Sequence, residues 1–226
     1  MHVPRAHAGR LLSLGAPLAL LLALATAAAP EGVALEAPSP RCTYTYTVWN
    51  TAQRRSVRAV PVDKPRASLT ADERGPFGCT PCTEDQIELE GVPGLPVTVC
   101  RHVAPKIARA LRQAVEAGAR ISSLLGYRPS MSRGPADARG ERTLLSLHAY
   151  GVAVDVNAEH NGLYDHCPAW GASCRLIKGG PWQPGHPLSL SADHPVVRAF
   201  ADQGFRWGGA LDGDQKDFMH LSPSGG

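Results

Sequence analysis

The sequence predicts an α+β fold, and three observations carry the prediction. Residues 43–49 and 152–156 alternate apolar and small or polar side chains with the period of two that marks a β-strand. Residues 103–118 and 194–203 instead repeat their apolar positions every three or four residues, the period of a helix. All six cysteines lie downstream of an N-terminal apolar run. The expected architecture is a small, mainly antiparallel sheet with helices packed on one side, preceded by a disulfide-pinned β extension.

Taken in order, the chain begins with Arg5 and Arg10, an apolar run from Leu11 to about Ala25, and a small-residue stretch ending at Ala29. A basic start, an apolar middle and a small-residue end describe a cleaved secretory signal over 1–29. Gly15 and Pro17 interrupt the run, which is short for a membrane span. An exported chain with Cys42, Cys79, Cys82, Cys100, Cys167 and Cys174 is expected to form disulfides. Cys167 and Cys174 bracket a short loop and are expected to pair. The other four allow three pairings, and Cys79-Thr80-Pro81-Cys82 also has the spacing of a structural zinc site.

Residues 30–40 read as a linker. Thr43 to Trp49 reads as a strand, Asn50 to Gln53 as a turn, and Val57 to Val62 as the returning strand. Lys64 to Pro81 is expected to be irregular, and Ile87 to Cys100 to form a weaker hairpin around Gly91-Val92-Pro93-Gly94. Nothing in 30–102 looks catalytic; structural support is the expected role, with wall or partner binding as the alternative. The catalytic segment is expected over 103–226. It starts with a helix from Val103 that Gly118 closes, then a strand running into a loop over 119–128 and a polar loop over 134–142. A long loop spans 157–187, a second helix runs from His194 to Gln203, and Gly204 to Gly209 turns into the final strand.

The chemistry concentrates in Ser146-Leu147-His148-Ala149-Tyr150-Gly151-Val152-Ala153-Val154-Asp155. Val152, Val154 and Val156 share one strand face and read as core. Gly151, Ala153 and Asp155 share the other face, cleared of bulk beside a carboxylate that His148 can reach. Asp217-Phe218-Met219-His220 supplies a second imidazole and a second carboxylate. Two His and one carboxylate, His148, Asp155 and His220, make a ligand set for one catalytic Zn2+ with the fourth position open to water. Asp217 then remains to take the proton of that water. Burying Asp155 without a partner would be costly, and a metal answers that cost. Asp217 and His220 fall on opposite faces of a flat strand, so this reading requires a bend or bulge near Met219.

The pattern S-x-H-x-x-G-x-A-x-D, followed by W-G-G and D-x-M-H, resembles the M15 metallopeptidases of bacterial cell walls. That family includes D-alanyl-D-alanine carboxypeptidases and L-alanyl-D-glutamate endopeptidases. The W-G-G and D-x-x-H elements are most similar to its endopeptidase and extensin-like branch, and the likeness covers about 103–222. It implies a zinc groove over the sheet, His148, Asp155 and His220 as ligands, and Asp217 in the general-base position, where many relatives carry Glu. It also implies an upstream Arg that steadies the substrate carbonyl or carboxylate, with Arg128 (in Gly126-Tyr127-Arg128) and Arg133 as the two candidates. The implied partner is the stem peptide of peptidoglycan, with hydrolysis at L-Ala-D-Glu ahead of D-Ala-D-Ala. A wall-binding domain that keeps the zinc fold without turnover is the rival from another class.

Other side chains read less sharply. Trp207 is expected to wall the site from beneath or touch substrate, and Ser146 to bind substrate or cap its turn. Tyr150 and Tyr164 could each offer a phenol. His160, His166, His186 and His194 read as loop or surface residues. Loss of Arg5 and Arg10 from the 23 basic residues leaves 21 against 20 acidic ones. A nearly neutral mature chain argues against a nucleic-acid partner. The expectation is an exported monomer, periplasmic or extracellular, cell-wall associated and without a stable membrane anchor once the signal is cleaved.

Overall fold

The threonine- and tyrosine-rich alternation folds as β1 (Arg41–Asn50), which a tight turn returns as β2 (Arg55–Pro65). The pair is antiparallel, with Tyr44 opposite Val62 and Trp49 opposite Ser56. The computed structural model describes residues 39–226. The expected signal segment and residues 30–38 of the linker lie outside the described residues. Between Arg66 and Asp85 the chain makes four short 3-10 turns. Two buried carboxylates organise them: Glu73 accepts from the Tyr44 hydroxyl and Lys64, and Asp85 takes both arms of Arg66 at 2.8 Å.

The expected second hairpin is present as β3 (Gln86–Val92) and β4 (Leu95–Cys100). Disulfides join Cys42 to Cys82, Cys79 to Cys100 and Cys167 to Cys174, which selects one of the three pairings the spacing left open. Helix α1 (Ala104–Glu116) carries Pro105 in its first turn, where a missing N–H costs nothing. Its Ile107, Ala110, Leu111 and Ala114 stripe is fully buried. There follow β5 (Leu124–Leu125), β6 (Ser130–Ala136), β7 (Arg142–Leu145), β8 (Val154–Val156), β9 (Leu163–Asp165) and β10 (Arg175–Lys178). Helix α2 (Pro195–Asp202), β11 (Arg206–Trp207), β12 (Lys216–Asp217) and β13 (His220–Ser222) complete the chain.

The strands assemble as β2-β1-β6-β7, β3-β4, β10-β9-β12 and β11-β13-β8-β5. Every pairing is antiparallel except β1 with β6. The last sheet carries the chemistry. Val152, Val154 and Val156 are fully buried on its core side, against Ile107 and Leu111 of α1 and Val196 and Phe200 of α2. Each such valine stabilises the fold by about 1.5–3 kcal/mol. Val97 and Val99 of β4 belong to the same core, so residues of the front section and of the segment from 103 onward share one apolar interior.

Three segments differ from expectation. The stretch expected as a polar loop over 134–142 begins at the end of β6 and ends in β7, around a turn in which Asp137 N–H donates to Glu141 O at 2.8 Å. Its glycines, proline and aspartate are weak strand formers; the pairing of β6 with β7, Ala136 opposite Arg142, supplies what propensity does not. The loop expected over 157–187 contains β9 and β10, whose three or four residues are too few to show a period. Over 119–128 only Leu124 and Leu125 pair.

Candidate metal centre

His148 sits in a 3-10 turn, Leu147–Tyr150, that ends at Gly151 in the left-handed region with φ of 65°. Glycine is required there twice over. Its conformation disfavours a side chain, and a Cβ would lie 2.5 Å from the backbone nitrogen of Cys100. That nitrogen donates to Gly151 O at 2.9 Å, so β4 is bonded to the turn that carries His148. Strand β4 acts at a second point. Tyr127 N–H donates to Thr98 O at 2.7 Å, and a Cβ on Gly126 would come within 2.1 Å of the same oxygen. The Gly126 carbonyl, placed by that close approach, accepts from His148 Nδ1 at 2.7 Å. A carbonyl can only accept, so Nδ1 holds the proton and Nε2 of the neutral ring presents its lone pair.

Asp155 is the middle residue of β8, and His220 stands directly opposite it on β13. Cross-strand partners share a face, which brings carboxylate and imidazole to the side away from the valine core. The bend required near Met219 is a change of sheet. Asp217 ends β12, paired to β9, while His220 begins β13, paired to β8, and Phe218-Met219 form the corner. Three hydrogen bonds pin it: Phe218 N to Gly162 O at 3.1 Å, Val156 N to Met219 O at 2.9 Å, and Trp207 Nε1 to Phe218 O at 2.7 Å. The first glycine of W-G-G has a local reason. A Cβ on Gly208 would lie 2.4 Å from Asp217 O and 3.1 Å from its Cβ.

These elements bring three donor atoms together. His148 Nε2 lies 3.0 Å from Asp155 Oδ1 and 3.1 Å from His220 Nδ1, which is 3.1 Å from the same Oδ1. Tetrahedral ligands about 2.0–2.1 Å from one ion are separated by roughly 3.3 Å, so the triangle has the dimensions of a zinc-sized site. Two ring nitrogens converging on one carboxylate oxygen cannot both turn protons inward without crowding; a cation at their centre satisfies all three lone pairs. All three residues are buried, and their group could hold a metal ion.

Asp217 faces the same cavity of about 490 Å3. Its Oδ1 and Ser146 Oγ are both sealed from solvent and have no hydrogen-bond partner among the described residues. Burial pushes the Asp217 carboxyl up to about 6; the Asp155 charge adds to this, and the imidazoles of His220 and His148 oppose it. Arg128 and Arg133 both line the cavity, and Arg128 N–H donates to His148 O at 3.0 Å. Two residues expected as possible substrate contacts are engaged elsewhere. The Tyr150 hydroxyl donates to Asp72 O in the front section, and Trp207 is outside the cavity lining, spent on the Phe218 carbonyl. Tyr164 accepts from Trp182 N–H at 2.8 Å beneath the corner, and His160 stacks on His186.

Sequence reasoning missed Trp49, Arg142 and Lys178, which also line the cavity. They come from strands with no motif around them. It also missed Asn157, whose left-handed backbone (φ of 50°) and side-chain amide fasten the end of β8 to Ser122, Arg120 and Leu188. An Asn directly after a buried strand was the available signal.

Residues 139–223 match the model of a peptidase M15 family described as D-alanyl-D-alanine carboxypeptidase. No curated protein and no solved structure matches the chain.

Proposed function

We propose, from the match of residues 139–223 to the M15 peptidase family model, that the chain is a zinc-dependent peptidase acting on the stem peptide of bacterial peptidoglycan. The observation that carries this reading is the convergence of His148, Asp155 and His220 donor atoms within 3.1 Å of one another in an arginine-lined cavity. His148 Nε2, Asp155 Oδ1 and His220 Nδ1 would hold the ion. Bound zinc supplies Lewis acidity toward water and the scissile carbonyl.

The chain's own groups do the rest. The Gly126 carbonyl keeps the His148 proton on Nδ1. The orphaned carboxylate of Asp217 accepts a proton from the attacking water and returns it to the leaving amine. Arg128 and Arg133 offer guanidinium N–H groups to the developing oxyanion or to a peptide carboxylate. The valine core and the Phe218-Met219 corner hold these groups from behind.

Cleavage at L-Ala-D-Glu is the preferred reading, on the W-G-G and D-x-x-H elements. D-Ala-D-Ala carboxypeptidase action is the second, favoured by the description of the matched family. A wall-binding domain without turnover has no use for a spare carboxylate beside the metal, which weighs against that third reading. Elemental analysis before and after chelation should find one zinc per wild-type chain and none in His148→Ala. Mass spectrometry of stem-peptide digests then identifies the bond. A full zinc complement in His148→Ala would remove the ligand set, and intact peptides with every substrate would remove the activity.

A further inference from the structure

The cavity is lined by four cations, Arg128, Arg133, Arg142 and Lys178, and two carboxylates, Asp155 and Asp217. None of the four cations is in an ion pair among the described residues. One anchoring arginine suffices for a single peptide carboxylate or oxyanion, so the surplus asks for another anion. We infer that the wall formed by Trp49, Ser56 and Arg142 is a second anion subsite, and that the preferred substrate is a peptide with two carboxylates. The inference rests on the peptidase reading above and names the class of peptide that this cavity selects.

Strand register builds the wall. Thr47 pairs with Ser130 across β1 and β6, their hydroxyls 3.2 Å apart, so the two side chains share a face. With a period of two, Trp49 follows on that face, and Ser56 is its cross-strand partner; β6 bulges between Met131 and Arg133, and Ser132 and Arg133 both reach the lining. Trp49, Ser56, Ser130 and Ser132 all line the cavity. Arg142 enters from β7 at its side. Its Nη1 donates to Gly134 O, which sets the guanidinium plane, while Nη2 makes no internal hydrogen bond. A guanidinium fixed by one arm presents the other donors to a carboxylate with little entropy left to lose. The half-buried Trp49 indole is part of the same cavity lining and leaves less room there for water. Trp49, Ser56 and the 130–136 strand lie outside the matched residues 139–223, whereas Arg142 lies within them.

The test uses zinc-loaded full chain and two synthetic stem peptides. One carries free C-terminal and Glu carboxylates; in the other the Glu carboxylate is a carboxamide. Wild type should favour the diacid by about tenfold or more in kcat/KM, mainly through KM, as expected for a lost charge-assisted pair. Arg142→Gln should bring the ratio between the peptides close to one, and Arg142→Lys, which keeps the charge, should retain part of it. Peptide affinity is measured in parallel by calorimetry on Asp217→Asn, with and without Arg142→Gln. Equal handling of both peptides by wild type, or an unchanged ratio in Arg142→Gln of wild-type zinc content, overturns the subsite. Arg142-dependent binding of the diacid without cleavage by any variant upholds it while the peptidase reading falls.

Discussion

The bare Nε2 of His148 follows from a carbonyl on the far side of its ring. With Nδ1 committed to Gly126 O, the tautomer is chosen before any ion arrives. Asp217 is the opposite case, a carboxylate with an oxygen that nothing among the described residues satisfies. A buried acceptor left in that state costs about 1–3 kcal/mol, an expense retained where chemistry needs it. Replacing Asp217 by Asn keeps the shape and removes the proton acceptor. Turnover should fall by at least about 100-fold while zinc content, read by elemental analysis, stays at the wild-type level. Both residues were legible in sequence because their motifs surround them with diagnostic neighbours. Arg142 and Trp49 were not, since an arginine or a tryptophan in a strand has the same local signature whichever way the sheet turns it.

At the level of strands and turns, the front hairpin does more than brace the molecule. β4 bonds the His148 turn through Cys100 N and sits against Gly126 through Thr98 O. The Cys79–Cys100 bridge ties the end of that strand, whereas Cys42–Cys82 ties β1 beside a separate small cluster with Tyr44 and Leu69. Each bridge is worth on the order of 3–4 kcal/mol by restriction of the unfolded chain. Their effects on the metal should differ. Replacing Cys79 and Cys100 together by Ser should weaken zinc binding about tenfold or more, as loss of outer contacts to a ligand does. The Cys42 and Cys82 double replacement should leave zinc affinity within about twofold, although both variants melt earlier. Competition titration with a chromophoric chelator reads the difference. Equal zinc affinities in the two variants would confine the Cys79–Cys100 bridge to stability.

For the molecule as a whole, the described residues contain no helix long and apolar enough to cross a membrane, and the three disulfides suit an exported protein. Stability should respond to acid through the buried carboxylates of the front section. Burial alone would raise Glu73, but hydrogen bonds from Lys64, Tyr44 and Thr70 bring it down to about 2 from 4.5. Asp85 is lowered in the same way, burial being outweighed by Arg66 and Thr80. A depressed pKa contributes stability that is present above the unfolded value and lost as pH falls through the folded one. The urea midpoint should therefore drop between about pH 4.5 and pH 2, and Glu73→Gln should flatten that fall while lowering the midpoint at pH 7. Zinc acts at the other end of the chain. A metal that binds only the native state should raise the melting temperature with free zinc concentration, an effect that Asp155→Ala should abolish.

The α+β class, the two helices, both hairpins of the front section and the group His148, Asp155, His220 and Asp217 could be read from the chain directly. Each depends on short-range information: a side-chain period, a glycine at a turn, a motif dense enough to exclude coincidence. The need for a break between Asp217 and His220 was legible for the same reason, because strand parity forbids both from facing one ion. What the break consists of was not. Whether a chain bulges within one sheet or crosses to another depends on the partners β9 and β8, which lie more than 50 residues away in sequence. The parallel pairing of β1 with β6, the cysteine connectivity and the cations that share a cavity with the metal group have that dependence. They follow from which distant segments can be brought together at least cost, a property of the packed molecule that no local stretch encodes.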